Sequence, residues 1–188
     1  MNPIGVVQEK ISEIDWQLVS EEMNAKGYSL ILRFLNDQYC KERIDEYGNE
    51  DIYHKTITME RHSFGLGEYK YSKYPLPDLI HIIREAVYPK LVPIANMWMK
   101  MLNIKRYYPD EFDELQKLCH QNNQLKPTVL ILKYGKGGYN TLHQDLYGDI
   151  FFPFQLVFCL NEVDTDYSGG EFVLTQQTPR AQSKAIVL

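Results

Sequence analysis

Apolar positions at three- and four-residue spacing mark the front half of the chain, and short unbroken apolar runs mark the back half. Ile11, Ile14, Leu18 and Met23 lie near helical spacing, and Gly27 predicts a helix stop. Asn36 predicts the cap of a second helix reaching Glu46, ended by Gly48 and Asn49. Tyr53 to His62 carries the β-formers Tyr53, Thr56, Ile57 and Thr58 and predicts a strand; the glycine-punctuated stretch Phe64 to Tyr69 predicts a loop. Pro77-Asp78 predicts a helix with Leu79, Ile82, Ile83 and Ala86 on its apolar face. Pro89 predicts the start of a separate one with Leu91, Ile94, Ala95, Trp98 and Leu102. Pro109-Asp110-Glu111 opens a further helix through Cys119, its acidic residues at the favourable end of the helix dipole.

From Pro127 onward the pattern changes. Val129–Leu132, Phe154–Leu160, Glu171–Thr175 and Ala185–Leu188 read as short strands. Gly135, Gly137-Gly138, Gly148-Asp149, Ser168-Gly169-Gly170 and Pro179 punctuate them. Short strands joined by turns predict a sandwich or barrel. With no internal repeat or linker, the expectation is one α+β domain over residues 1–188, helices packed outside a β-core. The last segment stops inside an apolar β-pattern, and such a strand wants a neighbour. The domain is therefore expected to be C-terminally incomplete.

Composition narrows the class. The chain is 44% hydrophobic and 24% charged, which predicts an ordered globular protein rather than a disordered one. A formal charge of -5 argues against a generally basic nucleic-acid binder and leaves room for a local basic groove. Cys40, Cys119 and Cys159 are isolated, which argues against structural zinc and a disulfide framework and fits a reducing cytosol. Residues 1–9 lack the basic and apolar regions of a secretory signal, and no apolar run approaches membrane-spanning length. The expected location is cytoplasmic.

The densest candidate chemistry lies in Tyr134 to Asp145. His143 and Asp145 stand two residues apart on what reads as a strand, so their side chains share a face. An imidazole nitrogen and a carboxylate oxygen could hold one metal ion between them. They make up two-thirds of a 2-His-1-carboxylate facial triad, the ligand set of non-haem Fe(II) oxygenases. No His follows His143 within these residues. Gln144 alternates to the other face. Gly137-Gly138 reads as a hairpin turn rather than a phosphate cradle, because no helix follows to supply a dipole. Arg61, His62, Tyr69, Lys70 and Tyr71 interleave basic and aromatic residues, which suits single-stranded nucleic acid as well as a solvated loop. His54, His81 and His120 lack metal-ligand spacing and read as structural. Trp16 and Trp98 read as core, and Cys119 and Cys159 as buried small hydrophobes.

Several blocks, in order, resemble the bacterial 2-oxoglutarate/Fe(II)-dependent dioxygenases described as acting in oxidative demethylation of damaged DNA, relatives of the AlkB-type repair enzymes. They are Met59 to Tyr71, Tyr74 to Pro77, Tyr88-Pro89 with Ile94 to Trp98, Pro127-Thr128 and Leu142 to Gly148. Phe152 to Gln155, Gly169 to Phe172 and Pro179 to Ser183 complete the series. The resemblance implies a double-stranded β-helix, or jelly-roll, core buttressed by N-terminal helices. It implies His143 and Asp145 as Fe(II) ligands and as the catalytic pair. Tyr134, nine residues before His143, stands where AlkB-type enzymes carry a tyrosine that contacts 2-oxoglutarate. Leu132 departs from the pattern where a polar cosubstrate contact is expected, and the family's distal His and Arg do not occur within these residues. The implied reaction consumes O2 and hydroxylates or demethylates a substrate, with alkylated, single-stranded or flipped DNA bases as the expected class. Arg61, Tyr69, Arg180 and Gln182 are the candidate substrate contacts. A protein or small-molecule hydroxylase of the same fold, and a degenerate binding module without a complete metal site, are the rival expectations.

Overall fold

The computed structural model of the chain describes residues 3–146, 148–176 and 184–188. The first periodic stretch forms two helices, α1 (Pro3–Glu13) and α2 (Trp16–Lys26). The break follows from Asp15, whose carboxylate accepts a 3.0 Å hydrogen bond from the Leu18 amide and so caps a new helix. Helix α2 stops at Gly27, whose amide donates to the Met23 carbonyl. Asn36 caps α3 (Asp37–Asp45) as its sequence predicts, accepting from the Tyr39 amide at 2.8 Å.

Where two helices are predicted around Pro89, one continuous helix forms, α4 (Asp78–Met101), with Pro89 and Pro93 inside it. A proline in a helix interior costs about 3 kcal/mol. Burying one large aliphatic side chain returns roughly 1.5–3 kcal/mol. Leu79, Ile83, Val87, Leu91, Val92, Ile94 and Met99 are all buried along α4, which outweighs two prolines. Helix α5 (Phe112–Gln121) begins after Glu111, with Asp113 and Glu114 in its first turn.

Helix α4 is the spine of the core. One side packs Ile83, Val87 and Leu91 against Val7, Ile11, Val19 and Tyr39 of the first three helices. The other packs Tyr88, Val92, Ala95 and Met99 against Tyr108, Phe112 and Leu115. Trp98 lies against both clusters and donates its indole N–H to Asn24 at 2.7 Å, so this tryptophan is core as expected.

The strands are short and antiparallel. β1 (Tyr53–Thr58), β3 (Glu68–Ser72) and β4 (Leu130–Lys133) form one sheet in the order β1-β3-β4. β2 (Gly65–Leu66) pairs with β5 (Tyr139–Asn140), and β6 (Val173–Gln176) with β7 (Lys184–Val187). The architecture is mixed helix and sheet, and among the described residues the strands make three separate small sheets rather than one barrel. The predicted strand over Tyr53–His62 ends at Thr58 and becomes a 3-10 turn over Met59–His62. The predicted loop over Phe64–Tyr69 holds β2 and the start of β3. The apolar run Phe154–Leu160 forms no strand, because Phe152, Phe154 and Phe158 turn their rings into the helical core instead. Cys159 is exposed, not buried as predicted, and donates its thiol to the Asn161 carbonyl. No helix among the described residues is long and apolar enough to cross a membrane.

Candidate metal centre

The segment carrying His143 and Asp145 is held at both ends by residues remote in sequence. On its leading side, β4 ends at Lys133 and a turn reverses the chain, with the Gly138 amide donating to the Gly135 carbonyl at 2.9 Å. Gly137 takes φ +74 at the third turn position, a conformation that favours glycine. The chain returns as β5 and pairs with β2. Gly65 lies so close to β5 that a Cβ there would sit 2.1 Å from the Tyr139 carbonyl oxygen. The Thr141 amide and hydroxyl both donate to the Phe64 carbonyl, at 2.8 and 3.0 Å. On the trailing side, the Gln124 side-chain amide donates to the Ile150 carbonyl and accepts from its amide, at 2.7 and 2.8 Å. Arg106 donates to the Asp149 carbonyl, and Phe152 anchors in the core among Tyr88, Tyr108 and Phe154.

Between these anchors His143 and Asp145 converge. They lie in irregular backbone beyond β5, not on the predicted strand, because the ladder ends at Asn140. Their side chains nonetheless lie on one side. His143 Nε2 and Asp145 Oδ1 stand 3.4 Å apart, with both side chains half-exposed. The opposite ring nitrogen, Nδ1, lies 2.7 Å from the Thr141 carbonyl. A carbonyl can only accept, so Nδ1 carries the hydrogen and Nε2 is the ring atom turned to Asp145. Gln155 donates to the other carboxylate oxygen, Oδ2, at 2.7 Å. Nε2 and Oδ1 therefore face each other, an arrangement that either a shared cation or a proton on Nε2 satisfies. The gap exceeds the ~2.7–2.9 Å of a charge-assisted hydrogen bond. It matches the roughly 3.0–3.4 Å that two adjacent ligands span when each binds one ion at ~2.1 Å. The donor set, one imidazole and one carboxylate, suits Fe(II) or Mn(II). Among the described residues no cluster of three or more His, Cys, Asp or Glu completes a metal cage.

Tyr134 follows β4 directly, and its ring lies against the Gly67 backbone. Burial pushes its phenol up from the ordinary value, and a hydrogen bond with Asn140 opposes the shift. Tyr69 on β3 lies across from Leu132 in register. Burial raises its phenol, a hydrogen bond with Tyr71 lowers it, and the Asp145 carboxylate raises it further, which places Tyr69 within electrostatic reach of the pair. Arg61 is exposed in the 3-10 turn before β2. Arg180 and Gln182 lie outside the described residues.

The predicted basic-aromatic surface loses two members. Lys70 is 4% exposed, ion-paired with Glu50, and set over the Tyr47 and Tyr53 rings. Strand alternation sends it to the face opposite Tyr69, so it offers no phosphate contact. Tyr71 stacks on His54. Two contributors escaped the sequence reading, Thr141 and Gln155. A hydroxyl two residues before His143 and a glutamine at the end of Phe152-Pro153-Phe154-Gln155 were the only signals available, and neither names its partner.

A family model described as "Oxygenase, catalysing oxidative methylation of damaged DNA" matches residues 67–188. Two uncharacterized proteins of Mycobacterium tuberculosis, one from strain CDC 1551 / Oshkosh and one from strain H37Rv, are each 46% identical over 114 residues. The match covers 61% of this chain and 49% of each relative, so the chain spans about half the length of the curated relatives it matches. No solved structure matches.

Proposed function

The chain belongs to the Oxygenase-NA family, and from that premise we propose that it is a 2-oxoglutarate- and Fe(II)-dependent dioxygenase acting on alkylated bases of damaged DNA. The observation that carries the metal assignment is the 3.4 Å approach of His143 Nε2 to Asp145 Oδ1, with the other polar atom of each side chain already engaged. His143 and Asp145 would hold the iron from one side. When bound, iron with 2-oxoglutarate and O2 supplies oxidation of a substrate C–H bond, releasing succinate and carbon dioxide.

The chain's own residues do the positioning. The Thr141 carbonyl fixes the His143 tautomer, and Gln155 orients the Asp145 carboxylate, the outer contacts that set ligand direction in metal sites. Tyr134, whose phenol burial raises above its ordinary value, would donate to a carboxylate of 2-oxoglutarate. Tyr69, within electrostatic reach of Asp145, would border the substrate, and exposed Arg61 would contact a phosphate. Arg180 and Gln182 are further candidates for substrate contact on their sequence position. A base inside a duplex cannot reach such a centre, so the target is single-stranded or flipped. We infer that the three small sheets belong to the jelly-roll core expected from the resemblance. The unpaired Cys40, Cys119 and Cys159 are consistent with a cytosolic location. The net charge of -5 favours one rival reading, a hydroxylase of peptides or small molecules.

Two measurements test this function. Mn(II), a redox-silent stand-in, is titrated into the chain and its His143→Ala and Asp145→Ala variants and followed by electron paramagnetic resonance. Affinity should fall tenfold or more in each variant; equal affinity in all three would sink the metal assignment. Succinate release is then compared between methylated oligonucleotides and peptides, and release with peptides alone would transfer the activity to the rival class.

A further inference from the structure

The hollow at the C-terminal end of α4 carries a second, distinct feature. No Asp or Glu occurs between Glu85 and Asp110, a span that holds Lys90, Lys100, Lys105 and Arg106 in a chain whose net charge is -5. The structure gathers three of these cations around an open hollow of about 740 Å³, lined also by Met97, Ile104 and Tyr107. Among the described residues the carboxylate partners of lysine and arginine go to Lys26, Lys41, Arg43 and Lys70, and none goes to Lys100, Lys105 or Arg106. Tyr107 is 72% exposed, while its neighbour Tyr108 is 1% exposed and packed in the core. Among the described residues the hollow thus combines positive charge that has no carboxylate within ion-pair distance with an outward aromatic ring beside a buried one.

We propose that this hollow seats one strand of single-stranded nucleic acid, with Lys100 and Lys105 on its phosphates and a base stacked on Tyr107. The proposal rests on the reading that the substrate is nucleic acid, and it names where the strand lies. Cations with an exposed aromatic ring are what sequence-tolerant single-strand binding needs. Complementing the dipole at a helix C-terminus accounts for Lys100. It does not account for Lys105 and Arg106, which lie beyond the helix end at Met101. Met97 and Ile104 of the hollow, with Met101 and Leu102 beside them in sequence, are also exposed, so a lipid surface is the competing occupant that the vesicle arm of the test separates. Arg106 joins the hollow to the candidate centre. It donates to the Asp149 carbonyl at 2.7 Å and lies 4.4 Å over the Phe151 ring. Asp149 lies four positions after Asp145, at most about 14 Å of extended chain, a span one strand can cover.

The test is fluorescence anisotropy of the metal-free 188-residue chain with labelled, unmodified oligothymidylate over a range of salt. The variants are Lys100→Ala with Lys105→Ala, Tyr107→Ala, Arg61→Ala, and Lys41→Ala as a control on α3; all these side chains are exposed, and circular dichroism verifies folding. The double variant should lessen the slope of log affinity against log salt by about 1.4, that is ~0.7 for each phosphate no longer neutralised. Tyr107→Ala should weaken binding about fivefold or more. Lys41→Ala should change neither. Equal affinity and slope in all variants, or a loss confined to Arg61→Ala, would overturn the hollow as the seat while leaving a DNA substrate standing. No oligonucleotide binding, with capture by phosphatidylserine vesicles that the double variant loses, would reassign the hollow to membrane. Because the assay contains no metal, a failed oxygenase assignment leaves its result intact, and the Mn(II) titration stands whether or not the hollow binds.

Discussion

Ile83 on α4 and Leu132 on β4 are both aliphatic residues of regular elements, yet Ile83 is 2% exposed and Leu132 is 41% exposed. The same contrast separates the two halves of the molecule. A closed core runs from Val7 to Leu115, most of it on the helices. Beyond Pro127 no described residue is buried. A helix satisfies its own backbone and needs only one apolar stripe covered. A short strand needs partners along both edges and cover on a face, and a two-residue ladder such as β2–β5 supplies little of either. The candidate centre therefore sits in the lightly packed half, located by a few long-range tethers to the stable one. Binding sites are commonly drawn from such regions, where local opening is cheap.

The largest effect separates core from surface. Ile83→Ala should cost about 2–5 kcal/mol, as large-to-small changes in a packed core do. Leu132→Ala should cost about 1 kcal/mol or less, since much of its apolar area already meets water. Urea midpoints from circular dichroism measure both, and equal losses would erase the distinction between the halves.

A smaller effect tests the tethers. Gly65→Ala places a Cβ against the Tyr139 carbonyl at φ +135, so β2 and β5 must part. Mn(II) affinity should drop about tenfold, equivalent to ~1.4 kcal/mol, while the helical midpoint moves little. A midpoint lowered as far as in Ile83→Ala would mean the halves unfold as one unit.

The smallest effect near neutral pH concerns the buried phenols of the helical half. Burial raises Tyr39, Tyr88 and Tyr108 above the ordinary value. Below pH of about 10 these phenols are neutral in both states, and their contribution to stability is complete. Above it the unfolded chain loses its protons first, and stability falls as pH climbs through the higher folded values. Part of the tyrosinate absorbance should therefore appear only together with loss of the helical signal. Full ionisation with the helices intact would show that these rings are not desolvated.

Local rules were legible in the residues themselves. The caps at Asn36 and Gly27, the turn at Gly137 and the helix after Pro109 each depend on partners a few positions away. The approach of His143 to Asp145 was legible from their two-residue spacing, though the irregular backbone that carries it was not. The tertiary structure alone decided the continuity of α4 through Pro89 and Pro93, the pairing of Gly65 with Asn140, and the burial of Lys70. It also turned Phe152, Phe154 and Phe158 into the helical core rather than along a strand, and set Phe64, 77 positions away, as the tether of Thr141. In each case the deciding energy is burial or a hydrogen bond between residues far apart in sequence. A pattern of neighbours records which side chains seek cover, and only packing settles what covers them.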